Sequence, residues 1–329
     1  MIRLPGRPVG GIGVPFRGFS RLRVLDLSKL LPGPYATQVL GDMGCRVTRV
    51  ELPHAPDLMR QVDPLSYRMV NHGKAALTLD YRKPAGMRRL RRLIARADVL
   101  VETFRPGRME RLGLGYEDLR RLNPRLVYCS LSGYGARSAS ARKAGHDLNF
   151  LAASGYLAAA GGASAALPPA PLADLAGSMA AVSGILAALL ERGTTGRGRA
   201  VRVSMADAIH SWLVLPLAQE FGGRGGEAWW LGRFPFYRLY RTKDGGAIAV
   251  AALERTYALA LLEELGLERL ASIDPWREPE KLRRPLEAKF RGATLADWAR
   301  RLSKFDFCVT PVLTLREAAR PSRSRSAGL

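Results

Sequence analysis

Residues 22–52 read LRVLDLSKLLPGPYATQVLGDMGCRVTRVEL, and this stretch decides the fold. The run at 22–27 is mostly Leu and Val, which predicts a short β-strand. A Pro-Gly-Pro turn, a helix and a stop at Gly44 follow, and the run CRVTRVEL then predicts a second strand. A strand, a helix and a second strand in this order form the building unit of a parallel sheet.

The same alternation continues through residue 205. Helices are predicted at 83–97, where Pro84 lies near the first turn, and at 174–191, where Gly, Ala and Ser crowd the sequence. Further strands are predicted at 76–79, 98–102, 126–132 and 200–205. Alternating strands and helices predict an α/β fold, with a large Rossmann-like domain built on a doubly wound parallel sheet.

Beyond Trp212 the composition changes to Gly and aromatic residues, which predicts a crossing segment and then a smaller α+β domain. A strand at GAIAVAAL and amphipathic helices near 257–265 and 294–302 belong to that domain. The predicted divisions are a flexible leader at 1–20, a large domain at 21–212, a crossing segment and small domain at 213–305, and a shortened C-terminal segment with a disordered tail at 306–329.

The composition narrows the class of protein. The 329 residues carry a net charge of +22, but the arginines are spread along the chain and no nucleic-acid-reading motif is present. A solvated basic surface is the plainer interpretation, and attraction of an anionic ligand is the other. Three scattered cysteines predict neither a disulfide framework nor a zinc site, which favours a cytoplasmic location. No run of about 18 uninterrupted apolar residues predicts a membrane-spanning helix.

Three acidic or basic positions are candidates for chemistry. His146 precedes Asp147 in AGHDLNF, and it is either an ordinary packed or surface histidine or a catalytic base supported by the carboxylate. Asp174 lies where the long helix begins, so it either caps the helix or moves a proton beside N–H groups that hold an oxyanion. Pattern alone makes Glu254 a surface residue. The four histidines are dispersed, so no metal site is expected.

Four further stretches carry a family resemblance together with residues 22–51. They are GKAALTLDYRKPAG, ADVLVETFRPGRMERLGLGYEDLRRLNPRLVYCSLSGYG, GILAALLERGTTGRGRAVRVSMADA and PFYRLYRTKDGGAIAVAALE. In this order they resemble the family III CoA transferases, a superfamily that includes an α-methylacyl-CoA racemase branch. The resemblance implies an interlocked homodimer of chains with a large and a small domain, in which CoA binds the large domain.

Carried over residue by residue, the racemase branch implies four catalytic positions: His146, Asp147, Asp174 and Glu254. They would move the α-proton of a 2-methylacyl-CoA thioester between two bases. Transferases of the family use an aspartate that matches Asp174 as a nucleophile and usually lack the histidine, so a CoA transferase with an acyl-aspartyl intermediate is the alternative. CoA enters both reactions as substrate, and the resemblance implies no separate cofactor and no metal.

The resemblance also implies contacts with the substrate. The expected CoA-binding residues are Leu30, Leu79, Thr103, Phe104 and Arg111, while Gly145 and Phe150 flank the thioester. Two departures stand out: Leu52 replaces a basic residue that the family commonly has, and the segment after TPVLTLREAARPS is expected to be shorter than the family's return to the large domain. The expected partners are acyl-CoA and a second copy of the chain, with neither nucleic acid nor membrane.

Overall fold

The structure is a computed structural model that describes residues 16–222 and 229–319. It divides into two compact units, of which the larger ends at Val214 and the smaller begins at Leu215. The larger unit contains both acidic candidates near the long helix and the expected CoA contacts, whereas Glu254 lies in the smaller unit. Each unit is described separately below.

The larger unit is built on a six-stranded sheet whose strands all run parallel. The strands are β1 (Arg23–Asp26), β2 (Arg46–Glu51), β3 (Ala75–Thr78), β4 (Val99–Glu102), β5 (Val127–Ser132) and β6 (Ala200–Ser204). Their order across the sheet is β3-β2-β1-β4-β5-β6. This is the doubly wound order, in which ligands bind beyond the carboxyl ends of the strands where the order reverses. The predicted Rossmann-like sheet is confirmed.

Helices connect the strands. They are α1 (Pro32–Asp42), α2 (Met59–Val62), α3 (Pro64–Met69), α4 (Pro84–Ile94), α5 (Arg108–Arg111), α6 (Tyr116–Leu122), α7 (Asp147–Ala153), α8 (Tyr156–Ala159), α9 (Leu172–Thr195) and α10 (Met205–His210). Short 3-10 helices span Arg17–Arg21 and Gly162–Ser164. The predicted Pro-Gly-Pro turn is in fact the first turn of α1, because proline is compatible with the first helical positions.

The sheet is covered on both faces by apolar side chains. On β1, Val24 packs into a cluster with residues of α1 and α9, while Leu25 packs into a cluster with residues of α4 and α6. Successive residues of a strand point to opposite faces, so a buried parallel strand needs apolar residues at nearly every position. This explains why the strand runs contain little polar alternation.

A flexible leader was predicted at 1–20, but residues 17–20 belong to a 3-10 helix. A 3-10 helix occupies Arg17–Arg21, the Phe16 and Phe19 rings lie 5.5 Å apart, and the Phe16 N–H donates to the Met43 carbonyl. The leader prediction for residues 1–15 lies outside the described residues. The aromatic pair and the backbone bond attach residues 16–21 to the domain, although sequence pattern gave no reason to expect it.

Helix α9 is the one helix of the described part that is long and apolar enough to cross a membrane by length and composition alone. The sequence prediction did not anticipate this, because Asp174 and several small polar residues interrupt the apolar run. In the structure α9 packs against α1, β5 and β6 and supplies Ala181, Val182 and Ile185 to the core. That is the packing of a core helix in an α/β domain.

The smaller unit is an antiparallel three-stranded sheet with helices. Its strands are β7 (Tyr237–Arg241), β8 (Ala247–Ala251) and β9 (Val309–Pro311), in the order β7-β8-β9. Its helices are α11 (Val214–Phe221, one residue of which belongs to the larger unit), α12 (Arg255–Glu264), α13 (Pro279–Phe290), α14 (Leu295–Leu302) and α15 (Leu315–Ala318), with 3-10 helices at Trp229–Leu231 and Glu268–Leu270.

Two features of the smaller unit differ from the predicted divisions. Strand β9 pairs with β8 through Ile248↔Pro311, so the smaller unit extends past the expected boundary at 305. Strand β7 falls in the stretch that was expected to be a crossing segment, and it buries Tyr240 while Leu239 stays exposed. The prediction of a disordered tail concerns residues 320–329, which lie outside the described residues.

Candidate active site

The first turn of α9 is capped by a residue from another loop. Pro171 occupies the N-cap position and has no polar side chain to accept the free N–H groups. Asp147 supplies the acceptor: its Oδ1 accepts the N–H of Ala173 at 2.7 Å and the N–H of Asp174 at 3.1 Å. Asp147, the first residue of α7, therefore fastens the start of that helix to α9, which carries Asp174.

Three of the sequence interpretations change with this contact. Asp174 does not act as the cap of α9, since Asp147 does. The amides of Ala173 and Asp174 already donate to Asp147 Oδ1, so they are not open donors for an enolate oxygen as the sequence analysis expected. Asp147 was expected to support the imidazole of His146, but no hydrogen bond joins those two side chains in the part of the chain that the structure describes.

Asp174 is a carboxyl group with altered acidity. Its partial burial, and secondarily the negative charge of Asp147, raise the pKa of Asp174 from 3.8 to about 7. Burial disfavours the charged form, and a second carboxylate nearby does the same. At neutral pH both protonation states of Asp174 are therefore populated, which suits a group that both takes up and releases a proton.

His146 begins the short helix that follows. It occupies the N-cap of α7 in an extended conformation, and its N–H donates to Asn149 Oδ1 at 3.0 Å. Its side chain is exposed, while Phe150 and Leu151 on the same helix are buried. The backbone at His146 is thus held by two contacts. Asn149 binds the His146 N–H within α7, and the next residue, Asp147, binds the first turn of α9.

Two glycines allow the loop before His146 to lie on the Phe150 ring. A β-carbon on Gly145 would come within 2.8 Å of the Phe150 ring and 2.9 Å of the Tyr134 hydroxyl, and one on Gly133 would come within 2.1 Å of the same ring. The Phe150 and Tyr134 rings pack edge to face at 5.1 Å. Phe150, which was expected beside the thioester, is buried and supports the loop backbone.

Three loops at the carboxyl edge of the sheet are joined by hydrogen bonds. The N–H of Leu30, whose φ of +63° is left-handed, donates to both carboxylate oxygens of Asp57 at 2.9 and 3.1 Å. The neighbouring Lys29 N–H donates to Thr103 Oγ1 at 3.0 Å, and the Phe104 N–H donates to Glu102 Oε2 at 2.6 Å. The structure therefore brings together Leu30, Thr103 and Phe104, which were all expected to contact CoA.

Glu102 is a buried carboxyl group at the end of β4. Besides the Phe104 N–H, it accepts the Tyr128 hydroxyl at 3.1 Å on its other oxygen. Burial raises the pKa of Glu102 to about 7, although these donors and the Ser130 hydroxyl lower it. A buried carboxyl surrounded by donors serves to hold a loop, because each donor would otherwise be left unpaired.

A buried network of charges lies beside these loops. Asp26 Oδ2 accepts from Lys74 Nζ at 3.1 Å and from Arg49 Nη1 at 3.4 Å, and Arg49 Nη2 also binds Asp57. Burial lowers the pKa of Lys74 to about 8, more than the attraction of Asp26 raises it. Since each charge has a partner, the network fixes Asp57 and, through it, Leu30.

The other expected CoA contacts lie in different surroundings. The Leu79 side chain is buried in the core, so its backbone is the part that remains for a ligand. Arg111 ends α5 with an exposed side chain that has no ion-pair partner among the described residues. Leu52 pairs with Ala55 in an isolated β-bridge and packs against the same core cluster. Arg111 is thus the cation of this set that is open to a phosphate.

Glu254 lies in the smaller unit, at the N-cap of α12. Its side chain is exposed and does not cap the helix. Nothing in this local structure distinguishes it from a surface glutamate, so its role stays a prediction from the resemblance. Among residues 16–222 and 229–319 no group of three or more His, Cys, Asp or Glu side chains is arranged to hold a metal ion.

Sequence reasoning missed Asp57 and Glu102, and it assigned Asp147 a different task. Glu102 is the last residue of a predicted buried strand. A charged residue at such a position was the available sign that it has a polar partner. Asp57 lies in a Pro- and His-containing loop with no periodic pattern. Its buried carboxylate is recognisable only once β1 and β2 lie side by side.

The larger unit thus combines a doubly wound parallel sheet with hydrogen-bonded loops at its switch point, which is where ligands bind in folds of this class. Residues 19–329 match the family model described as CoA-transferase family III. The chain belongs to this family.

Relatives with different activities are similar to this chain in sequence, and a solved protein of the family is similar to it in fold. The chain is 38% identical over 322 residues to an alpha-methylacyl-CoA racemase from Homo sapiens, covering 93% of this chain and 81% of that one. It is 30% identical to a succinyl-CoA:glutarate CoA-transferase from Mus musculus, covering 90% and 74%. A solved CAIB/BAIF family protein from Brucella suis superposes with a TM-score of 0.79 at 26% identity, covering 93% and 87%. The family is therefore shown, and it includes both racemases and transferases.

Proposed function

We propose that this chain is an acyl-CoA racemase that moves the α-proton of a 2-methylacyl-CoA thioester. The observation that carries the proposal is the bond from Asp147 Oδ1 to the Asp174 N–H at 3.1 Å. Because Asp147 directly follows His146, this contact holds an imidazole-bearing loop against the helix turn that carries a carboxyl group. The 38% identity to racemases supports the same assignment.

Two acid–base groups are what the reaction needs. One group removes the α-proton from one face of the carbon, and the other returns a proton on the opposite face. Asp174, with a pKa raised to about 7, exists at neutral pH both as base and as acid. An imidazole is the side chain that most often transfers protons in enzymes, so His146 and Asp174 exchange roles when the opposite enantiomer reacts.

The proposed substrate contacts divide between holding CoA and placing the thioester. Leu30, Thr103 and Phe104 lie on the joined loops at the sheet edge, and Arg111 offers an exposed guanidinium to a phosphate. Gly145 brings the His146 loop onto the Phe150 ring. The supporting role of Glu254 rests on the family resemblance.

A CoA transferase is the second candidate. In that reaction an ionised Asp174 oxygen attacks the thioester carbonyl, CoA thiolate leaves, and an acyl-aspartyl anhydride forms. The transferases at 30–31% identity favour this reading. A pKa near 7 reduces the ionised fraction of the nucleophile, and the reaction leaves His146 without a task.

Deuterium exchange tests the choice. The full chain is incubated in heavy water with a single enantiomer of a 2-methylacyl-CoA and no acceptor acid, and the α-carbon is followed by mass spectrometry and chiral analysis. A racemase incorporates one deuterium while both enantiomers appear. We expect His146→Ala and Asp174→Ala each to abolish racemisation.

The matched control is His210→Ala, because the His210 ring contacts the Ser154 carbonyl at 2.9 Å and belongs to no candidate role. This variant should retain exchange. An absolute need for an acceptor carboxylate, an acyl adduct on Asp174 and full activity of His146→Ala would instead establish the transferase.

We also propose that the chain acts as a homodimer in the cytoplasm. Support for a dimer comes from the family resemblance and from exposed apolar side chains on α9, of which Leu190 is 78% exposed. Light scattering at micromolar and tenfold lower concentration tests the assembly. A folded monomer at both concentrations would contradict it.

A further inference from the structure

The smaller unit contains a pocket that none of the candidate site residues lines. Its volume is about 350 Å³, and Phe234, Phe236 and Leu282 are among the buried residues of its wall. Small-molecule pockets are typically about 300–1,000 Å³ and mostly apolar, with a few polar groups that orient the ligand. The size and the mixed polar and apolar lining therefore suit a small molecule that has both an apolar part and a polar group.

Two of the large apolar side chains that line the pocket are exposed to solvent. Trp276 is 59% exposed and Leu253 is 41% exposed, and both line the pocket. The Trp276 ring lies 4.3 Å from the buried Phe234 ring at a tilt of 32°. Exposed apolar surface next to a cavity is characteristic of a ligand site, since a bound apolar chain would cover that surface.

The pocket also carries one cation without a carboxylate partner. Arg255 lines it, and its exposed guanidinium makes no ion pair with the acids of the described chain. The other charged residue of the lining, Asp274, is already engaged: its Oδ1 accepts the N–H groups of Trp276 at 2.8 Å and Arg277 at 3.2 Å, and Oδ2 lies 3.7 Å from the Arg277 guanidinium. The charge left to recognise a ligand is therefore positive.

We propose that this pocket binds a small carboxylic acid with an apolar tail. The carboxylate pairs with Arg255, and the tail lies along Trp276 and Phe234 toward Leu282. A guanidinium binds a carboxylate through two parallel hydrogen bonds, which neither an alcohol nor an ammonium group can reproduce. The lining lies within the smaller unit, where Leu253 and Arg255 flank Glu254, but the inference rests on the pocket residues and not on the racemase proposal.

Calorimetric titration of the full chain with octanoate tests the proposal, with octan-1-ol and octylammonium as chain-matched probes. We expect saturable octanoate binding that is at least about tenfold tighter than binding of either probe. Arg255→Gln should weaken octanoate about tenfold, whereas Arg269→Gln, an exposed arginine of the same unit outside the pocket, should leave it unchanged. Ala271→Phe should abolish binding by filling the pocket.

A second measurement needs no variant. Intermolecular nuclear Overhauser effects should join the octanoate methylene protons to the Trp276 indole ring. Octanoate binding that does not saturate, or equal affinity for the three probes, would overturn the proposal. So would an unchanged affinity of Arg255→Gln for octanoate, or displacement of bound octanoate by CoA alone. None of these results would alter deuterium exchange at the α-carbon, so a failure here leaves the proposed reaction standing.

Discussion

Asp147 Oδ1 accepts the backbone N–H of Asp174 at 3.1 Å, so one acidic residue caps the helix turn on which the other is carried. The contact stabilises the helix through a charge-assisted hydrogen bond. Burial raises the pKa of Asp174 to about 7, and the negative charge of Asp147 adds to that rise. Structure and acidity at this site therefore depend on the same carboxylate.

The two effects of Asp147 are separable by substitution. Asp147→Asn keeps an oxygen for the Ala173 and Asp174 amides but removes the charge, so the pKa of Asp174 should fall while stability changes little. Asp147→Ala removes both and should lower the free energy of unfolding by roughly 1–2 kcal/mol, the usual loss of a helix cap. Carboxyl ¹³C NMR titration and urea denaturation measure the two quantities. Equal Asp174 titration in wild type and Asp147→Asn would show that burial alone sets its pKa.

Asp174→Asn should stabilise the protein, and more so at higher pH. The pKa of Asp174 is 3.8 when unperturbed and about 7 when folded, so the folded state holds a proton that the unfolded state releases. The carboxyl's contribution to stability is complete below about pH 4 and is lost as pH rises through 7. We expect a gain of roughly 1–3 kcal/mol at pH 8 and a smaller one at pH 5.

Denaturant unfolding at the two pH values measures this gain. Glu117→Gln, at a side chain 62% exposed on α6, is the control and should show no pH-dependent gain. A gain for Asp174→Asn that is the same at pH 5 and pH 8 would contradict the raised pKa.

The strands and most connecting helices of the larger unit followed from the sequence because each β-α-β step uses residues that are close in the chain. Strands β7 and β9 did not follow, since three residues of β9 acquire strand character only by pairing with β8. Helix α13 was missed because Pro285 and many charged residues obscure its apolar stripe. That stripe consists of the buried residues Leu282, Leu286 and Phe290.

The candidate site divides in the same way. His146 and Asp174 were found through a motif, although pattern alone left each with an ordinary structural interpretation. The cap on α9 could not be predicted, because Asp147 lies 26 residues before Ala173 and nothing local connects them. Pro171, an N-cap without a capping side chain, was the one signal that a distant acceptor was needed.

Glu102→Leu should weaken acyl-CoA binding indirectly, through the loop that Glu102 holds, because the buried Glu102 side chain is not itself an expected ligand contact. The substitution leaves the Phe104 N–H and the Tyr128 hydroxyl without their acceptor, at a cost of about 1–3 kcal/mol for each unpaired group. The loop at 103–104 should therefore loosen, and KM should rise more than kcat falls. Glu102→Gln keeps one oxygen acceptor and should restore most of the affinity. Similar KM values for the Leu and Gln variants would show that Glu102 does not position this loop.

Arg111→Ala should weaken the binding of CoA by roughly 1–3 kcal/mol, since one charge-assisted contact to a phosphate is lost. Arg120→Ala is the matched control, because Arg120 is also exposed but pairs with Glu117 at 2.8 Å. Calorimetry measures the affinity of both variants for CoA. Added salt should weaken CoA binding by the wild type and by the control more than it weakens binding by Arg111→Ala. An unchanged affinity of Arg111→Ala would remove this residue from the CoA site.

Gly145→Ala should reduce turnover while the fold persists. The new β-carbon would approach the Phe150 ring to 2.8 Å, which forces the backbone before His146 away from its position. Gly193→Ala is the control: it lies in α9 with no atom within 4 Å of an added β-carbon, so it should raise stability slightly. Thermal unfolding and α-deuterium incorporation are measured on both. Full activity of Gly145→Ala would show that the loop tolerates the shift.

The sheet order has a consequence for how activities diversify in this family. His146, Asp147 and Asp174 all lie on the single connection between β5 and β6, whereas Leu30, Thr103 and Arg111 follow strands β1 and β4. One connection of the chain therefore carries the proposed acid–base residues of the larger unit, while the connections after β1 and β4 carry the proposed CoA contacts. New chemistry can arise by change within that connection while the affinity for CoA is inherited intact, and relatives named as racemases and as transferases are the outcome such a division permits.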